Sequence, residues 1–132
     1  ASGGELSRIT LTLMLATSNS TQMPIFIFDE IDSGINGLTG NVVGVKLKKI
    51  SLTHQTLCIT HLPQIASFGN SHYFINKSYN NASTISSVEL LNKQDIIKEI
   101  ARMMGGNNLS DTAINHAKEM LEHAKNSFGK SS

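Results

Sequence analysis

The chain has 132 residues, 39% of them hydrophobic and 16% charged, a balance typical of one globular domain and not of a disordered segment. Its formal net charge is +1 and acids and bases are mixed along the chain, so composition alone does not indicate a nucleic-acid-binding surface. The single cysteine, Cys58, excludes an internal disulfide, and no apolar run approaches the roughly 18 residues of a membrane span. We therefore expect a cytoplasmic protein with a buried structural thiol. Because the chain does not begin with Met and opens inside a motif, we also expect it to be a fragment.

The first predicted element is a helix from about Glu5 to Thr17, with apolar residues at helical spacing. Ser2 and Glu5 have the spacing of a capping box, in which each side chain accepts a hydrogen bond from a backbone N–H near the helix start. Gly3 and Gly4 leave that start without side chains, so a phosphate could approach the N–H groups and the positive end of the helix dipole. A well-capped helix is the simpler interpretation, and it does not require the glycines.

The stretch Ile25–Phe28 is apolar and β-prone and follows Pro24, which predicts a strand buried on both faces of a parallel sheet. Asp29 and Glu30 come next, at the carboxyl end of the strand, where open α/β sheets bind ligands. Two adjacent acids at a buried strand end are unfavourable unless a cation or a proton compensates them, which indicates metal-assisted chemistry. Surface acids after an edge strand are the alternative.

A polar loop at 18–21 precedes this strand, and a turn at Asp32–Gly34 follows it. A second helix is predicted from Leu38 to Ser51. The residues expected to face the core on this helix are Val42, Val45 and Leu47.

The run Thr56–Thr60 predicts a second buried strand, and His61 stands at its carboxyl end. Pro63 suits the first turn of a short helix through about Phe68. If the crossover between the two strands is right-handed, the strands are parallel and His61 can meet Asp29 and Glu30 at one edge of the sheet.

The remaining elements are a hairpin and two helices. The predicted strands are Tyr73–Ile75 and Thr84–Leu91, with a turn at Asn80–Asn81. An amphipathic helix around residues 96–104 ends at Gly105–Gly106, and Ser110 is the expected N-cap of the last helix. The last helix has an apolar stripe formed by Ala113, Ile114, Ala117, Met120, Leu121 and Ala124. We expect residues 1–127 to form one unit and 128–132 a flexible tail.

An acid pair, a bare helix start and a strand-end histidine together suggest phosphoryl transfer, in which catalysis is mostly positioning and charge neutralisation. Asp29 is suited to hold Mg²⁺ through water, since that ion keeps part of its hydration shell. Glu30 could orient the attacking water, and His61 could donate a hydrogen bond to a terminal phosphate oxygen.

Four motifs give the chain a family resemblance. Ser2–Arg8 resembles the signature motif of ABC-type ATPases in the form found in the SMC-like branch. The other three resemble the Walker B motif with its catalytic glutamate (Ile25–Glu30), the D-loop segment (Glu30–Ile35) and the switch-histidine segment (Thr60–Ala66). With the late stretch Glu99–Gly106, they resemble the C-terminal part of a bacterial DNA double-strand-break repair ATPase of that branch. The resemblance covers nearly the whole chain and implies the C-terminal half of a P-loop NTPase head, α/β, with a mostly parallel sheet, flanking helices and an edge hairpin.

The resemblance implies roles on both sides of a head-to-tail dimer. Ser2 and Gly4, with Gly3 between them, would contact the γ-phosphate of ATP held by a second head, and Arg8 is a further candidate for that contact. The residues implied on the chain's own side are Asp29 for Mg²⁺, Glu30 as general base, His61 as γ-phosphate sensor and Asp32 as a link between the two sites.

One expected motif is absent from these residues. Gly129-Lys130-Ser131 matches the end of a phosphate loop, but that pattern needs a glycine at position 124, which is Ala, and it also needs a preceding strand. The N-terminal lobe and the coiled coil of the family are likewise not in this chain. We therefore expect the chain alone neither to bind ATP tightly nor to hydrolyse it.

The expected function is that of an ATPase-head segment in DNA double-strand-break repair and recombination, with ATP and Mg²⁺ as cofactors. Its partners would be a second head and, through the whole protein, DNA. The expected location is the cytoplasm, at the nucleoid, and no membrane partner is expected. The alternatives are a non-catalytic dimerisation or docking module and a head fragment of another SMC-like or transporter ATPase. Transporter signatures more often have Gln at position 5, so Glu5 weighs against transport.

Overall fold

A computed structural model of the chain describes residues 2–17, 25–80 and 83–129. Within these ranges the helices are α1 (Gly3–Thr17), α2 (Gly37–Ser51), α3 (Pro63–Ala66), α4 (Lys93–Gly105) and α5 (Asp111–Gly129). The strands are β1 (Ile25–Phe28), β2 (Gln55–Cys58), β3 (Tyr73–Asn80) and β4 (Ser83–Leu90). Each helix and strand predicted from the sequence is present, with bounds shifted by a few residues. The predicted loop at 18–21, the turn residue Asn81 and residues 130–132 of the predicted tail lie outside the described residues.

The strands β1 and β2 pair in parallel, with Ile25 opposite Gln55 and Phe28 opposite Cys58. The Ile59 N–H extends the ladder by donating to the Phe28 carbonyl at 2.9 Å. The two carboxyl ends therefore lie side by side, as predicted. With helices around this pair and a separate antiparallel pair, β3–β4, the expected α/β class is confirmed.

The prediction that β1 is buried on both faces is wrong. Phe26 and Phe28 are 4% and 3% exposed, whereas Ile25 and Ile27 are 50% and 70% exposed. Leu57, which pairs with Ile27, is 47% exposed on the same face. The reason is that the described helices that pack on this pair of strands cover the face carrying the phenylalanines. The opposite face is an apolar surface in this chain.

The first core lies between α1, α2 and the inner face of β1. Its buried members are Leu11, Phe26, Phe28, Ile31, Val43, Leu47, Ile50 and Ile65. On α2 the prediction for Leu47 is confirmed, but those for Val42 and Val45 are wrong, since these side chains are 56% and 40% exposed.

Two glycines explain why the buried face of α2 differs from the predicted one. Gly40 and Gly44 are buried on the same face as Val43 and Leu47, and together they have the spacing of one helical stripe. A Cβ at Gly40 would lie 3.1 Å from Leu62 Cδ1, so the glycines let the segment around α3 approach closely. Glycine contributes no hydrophobic side chain, so the sequence pattern predicts the wrong buried face for α2.

The predicted hairpin is confirmed as the antiparallel pair β3–β4, which forms a sheet of its own among the described residues. Tyr73 pairs with Leu90 and Ile75 with Val88, and these four side chains are all more than half exposed. On the other face, the Arg102 guanidinium lies 5.9 Å from the centre of the Phe74 ring and connects the hairpin to α4.

A second core joins α4 and α5 around Ile100, Ala101 and Ala117, each 0% exposed. The predicted ends of these helices are confirmed: α4 closes at Gly106, with φ of 83°, and Ser110 Oγ accepts from the Ala113 N–H at 3.2 Å. None of the helices described is long and apolar enough to span a membrane.

Candidate functional site

The start of α1 is closed by the predicted capping box. The Glu5 N–H donates to Ser2 Oγ at 3.3 Å, and the Ser2 N–H donates to Glu5 Oε2 at 3.2 Å. Ser2 and Gly3 are exposed, whereas Gly4 is buried. The helix therefore begins in a fixed position, with Ser2 and Gly3 accessible to a ligand.

The two glycines lie against the loop that follows β1. A Cβ at Gly3 would lie 2.6 Å from Glu30 Oε2. A Cβ at Gly4 would lie 2.8 Å from both the Glu30 carbonyl oxygen and Ser33 Cβ. The close approach of α1 to the acidic loop is therefore enough to explain why glycine occupies both positions, whatever ligand they contact.

Side chains one turn further along α1 bind the same loop. Ser7 Oγ donates to the Asp29 carbonyl at 2.9 Å. Arg8 Nη1 donates to the carbonyls of Ile31 and Ser33 at 3.0 and 2.9 Å. The Arg8 guanidinium, considered above for nucleotide contact, therefore holds the turn 31–34 in place. Its contact with a nucleotide stays a prediction.

The predicted acid pair is exposed at the carboxyl end of β1. Asp29 Oδ1 accepts from the Glu30 N–H at 2.8 Å, and the Glu30 carbonyl accepts from the Ser33 N–H at 3.0 Å. Glu30 has φ of 54°, the one positive φ of a non-glycine residue in the described part of the chain. This left-handed backbone turns the chain sharply after the strand, and the Glu30 carboxylate lies close to Gly3.

Asp32 is 3% exposed, and its carboxylate accepts several hydrogen bonds. Its Oδ2 accepts from Thr60 Oγ1 at 2.6 Å, from the His61 N–H at 2.7 Å and from the Leu62 N–H at 3.3 Å. Burial by itself would raise the pKa of Asp32, but these hydrogen bonds and the charge of His61 hold it below its ordinary value. The carboxylate thus joins the loop after β1 to the loop after β2.

The His61 ring is 75% exposed, and its Nδ1 lies 2.9 Å from Asp32 Oδ2. The structure therefore brings His61 to the expected edge of the sheet and to Asp32, while Glu30 lies at α1. Nearby, burial and the charges of Asp32 and Asp29 raise the pKa of the Cys58 thiol to about 12. The Cys58 side chain is half-buried, so the prediction of a buried thiol is confirmed only in part, and the raised pKa keeps the sulfur in its unreactive thiol form.

Two residues of the site, Ser7 and Thr60, were not singled out from the sequence. Ser7 follows Gly3 by four residues, so the helical period alone places it on the face that meets the acidic loop. Thr60 offers a hydroxyl at the end of an apolar strand, but its partner, Asp32, is 28 residues away. Nothing in the local pattern indicates that contact.

The described residues contain no group of three His, Cys, Asp or Glu side chains arranged to hold a metal ion. The exposed Asp29 carboxylate suits Mg²⁺, which is commonly bound by one or two carboxylates together with waters and substrate phosphates. The edge therefore offers two exposed carboxylates, an exposed histidine ring and an accessible helix start.

The curated proteins most similar in sequence among those compared share one name. The chain is 43% identical over 122 residues to the DNA repair protein RecN of Xylella fastidiosa, covering 92% of this chain and 22% of the relative. It is 40% identical over 124 residues to RecN of Bacillus subtilis and 41% identical over 121 residues to RecN of Deinococcus radiodurans. These matches cover 94% and 92% of this chain and 22% and 21% of the relatives. The chain therefore spans about a fifth of the length of the relatives it matches, and no family model matches it.

A solved structure from a study titled "Structural biochemistry of ATP-driven dimerization and DNA stimulated activation of SMC ATPases" resembles the chain with a TM-score of 0.57. The match has 21% sequence identity and covers 82% of this chain and 65% of the other. At this identity the likeness concerns the fold, and it agrees with the ATPase-head class expected from the four motifs.

Proposed function

Since the chain corresponds in sequence to the C-terminal part of RecN-type DNA repair proteins, we propose that it forms the C-terminal segment of an ATP-hydrolysing head. The observation that carries the proposal is the shared edge of β1 and β2, where Asp29 and Glu30 follow β1 and where Asp32 Oδ2 accepts from Thr60 Oγ1 and the His61 N–H after β2. The four resembling motifs thus converge in space although they are spread over residues 2–66.

In the proposed site, Asp29 would hold Mg²⁺, and the ion would supply charge neutralisation on the phosphates. Glu30 orients and polarises the attacking water and takes its proton, which suits an exposed carboxylate on a fixed turn. His61 donates a hydrogen bond from its exposed ring to a γ-phosphate oxygen. Each of these groups stands at the carboxyl end of a strand, where the backbone holds it in place.

The start of α1 serves a second nucleotide in this proposal. Ser2, Gly3 and Gly4, with Arg8 behind them, face ATP held by another head, so that ATP joins two heads and its hydrolysis releases them. The exposed Ser2 and Gly3 at the positive end of a 15-residue helix support this assignment. Asp32 is proposed to link the two sites from within the chain. In the whole protein this cycle would act on DNA during repair and recombination, in the cytoplasm at the nucleoid.

The test is Glu30→Gln in the longer protein that contains this segment. We expect ATP turnover to fall on the order of 10² to 10⁴-fold, because the amide cannot accept the proton of the water, while ATP-bound dimers accumulate. Phosphate release measures turnover, and light scattering with ATP measures dimers. Glu119→Gln on the exposed side of α5 is the matched control and should leave both unchanged. Normal hydrolysis by Glu30→Gln would exclude Glu30 as the base.

A docking module without catalysis remains the second candidate, and one observation favours it for these 132 residues taken alone. The sequence contains no phosphate loop, whereas α1 exposes Leu6, Ile9 and Leu13 by 53–61%. With either function, the chain by itself should neither bind ATP tightly nor hydrolyse it. Calorimetry that detected micromolar binding, with turnover that depends on Glu30, would contradict this expectation.

A further inference from the structure

Arg8 joins α1 to the acidic loop by two hydrogen bonds. Its Nη1 atom donates to the carbonyls of Ile31 and Ser33 at 3.0 and 2.9 Å. A terminal guanidinium nitrogen carries two hydrogens, so this one atom has both of its donors committed to the loop. The Arg8 side chain is half-buried, and its bond to the Ile31 carbonyl is partly shielded from water. A charged donor makes a stronger hydrogen bond than a neutral one, so the contact suits a fixed position of the loop.

The residue one turn earlier, Gly4, leaves room for this guanidinium. A Cβ at Gly4 would lie 3.0 Å from Arg8 Nη1. Residues four apart lie on the same face of a helix, so Gly4 and Arg8 belong to one surface of α1. Nη1 therefore lies between the α1 backbone and the loop, and a side chain at Gly4 would crowd it.

The backbone of Glu30 is held by α1 on both of its sides. Ser7 Oγ donates to the Asp29 carbonyl at 2.9 Å, and Arg8 Nη1 donates to the Ile31 carbonyl. Between these two bonds Glu30 has the left-handed φ of 54°, which is unfavourable for a glutamate and needs support from its surroundings. The Ile31 side chain is 0% exposed in the first core. The helix and the core together therefore fix the turn that carries the Glu30 carboxylate.

We propose that Arg8 is a positioning residue for Glu30: its two hydrogen bonds hold the turn after β1, so that the carboxylate stays beside the start of α1. The inference rests on the proposed function for the role of Glu30 as general base, whereas the support of the turn is a property of this chain. The task lies within one head. It differs from the contact with a second head's nucleotide that the family resemblance implies for Arg8, and the two tasks predict different results when Arg8 is replaced.

Hydrogen exchange of the 132-residue chain without nucleotide, followed by mass spectrometry, tests the support of the turn. Within residues 29–35, the Ser33 and Ile35 N–H groups donate to carbonyls of the same loop. Arg8→Met keeps an unbranched side chain without donors, and we expect residues 29–35 to exchange about fivefold faster or more, while α5 exchanges as in the wild type. Thr10→Met, at an exposed position on the same helix, is the matched control and should change neither segment.

Unchanged exchange of residues 29–35 in a folded Arg8→Met chain would overturn the proposal. Equal acceleration of α5 would also overturn it, because that result indicates general destabilisation and not the support of one turn. If Arg8→Met fails to fold, Arg8→Gln replaces it, since its shorter side chain does not reach both carbonyls, and the same results decide.

A double-mutant cycle with Glu30 in the longer protein tests the consequence for ATP. We expect Arg8→Met to lower kcat about tenfold or more with little change in KM, because the base is displaced and the nucleotide is not. On the Glu30→Gln background, Arg8→Met should cause no further loss of turnover, since Arg8 acts through that carboxylate. An equal further loss on this background, or a large rise in KM, would contradict the inference and favour contact with the second nucleotide.

The two experiments separate this inference from the function on which it rests. If Glu30→Gln left turnover normal while residues 29–35 exchanged faster in Arg8→Met, the proposed function of Glu30 would fail and the support of the turn would stand.

Discussion

At the start of α1, two adjacent glycines meet the acidic loop in different ways. Beyond Gly3 lies the far end of the Glu30 side chain, which can move aside. Beyond Gly4 lie a backbone carbonyl and the Cβ of Ser33, which cannot move without the loop. Gly3 therefore affects the position of the Glu30 carboxylate, and Gly4 affects whether α1 can pack against the acidic loop.

We predict that Gly4→Ala lowers the free energy of unfolding by about 1–3 kcal/mol, because the new methyl overlaps fixed atoms. Gly105→Ala is the control: a Cβ there meets nothing within 4 Å, so its effect should be near zero or slightly stabilising. Denaturant unfolding of the two variants measures the difference. Equal stabilities would show that α1 does not approach the loop this closely.

The buried Asp32 carboxylate predicts a specific acid sensitivity. Its folded pKa lies below the ordinary value of 3.8, so its stabilisation is fully present above pH 3.8 and is lost as the pH falls through the lower folded value. Asp32→Asn should be less stable at pH 7 and lose less stability between about pH 4 and 2. Urea unfolding across this range provides the measurement, with Glu122→Gln on exposed α5 as the control. A parallel loss in wild type and Asp32→Asn would exclude this role.

At the scale of elements, the sequence predicts each helix and strand but not always the face that is buried. The caps at Ser2 and Ser110 could be identified because a cap is a local hydrogen bond, here between residues three apart. The buried stripe of α2 could not, since it depends on glycines that only close packing explains. The half-exposed β1 also differs from its pattern, because burial depends on what covers the second face.

The helix α2 depends on a cap that can be tested. Asn36 Oδ1 accepts from the Thr39 N–H at 3.0 Å, and Asn36 has the extended backbone of an N-cap. Asn36→Ala should lower the free energy of unfolding by about 1 kcal/mol. Asn41→Ala, at an exposed position inside the same helix, should be neutral or slightly stabilising, since Ala is the better helix former. Thermal unfolding followed by circular dichroism compares them, and equal effects would argue against the cap.

At the scale of the whole molecule, the described part of the chain leaves apolar faces exposed. Ile25, Ile27, Leu57 and Ile59 are 47–70% exposed on one face of β1–β2, and a second such face lies on the hairpin. These faces are where the local sequence could not predict the outcome, because an apolar strand has the same pattern whether or not a further layer covers it. The candidate site was more predictable, since its acids and His61 follow strands that pair as expected.

We therefore predict that the 132-residue chain self-associates as its concentration rises, by burying these faces. Light scattering coupled to gel filtration over a hundredfold range of concentration should show a growing mean mass. Ile27→Thr keeps a β-branched residue at the most exposed of the four positions and should reduce the association. A mass that stays monomeric at every concentration would contradict the prediction.

The backbone conformation of Glu30 affects how this segment could be stabilised by substitution. A left-handed conformation at a glutamate costs on the order of 1 kcal/mol or more, and Asn or Gly would relieve part of it. Neither residue carries a carboxylate on a long side chain beside α1. The position thus exchanges thermodynamic stability for a carboxylate, so a search for stabilising substitutions would remove the proposed general base first.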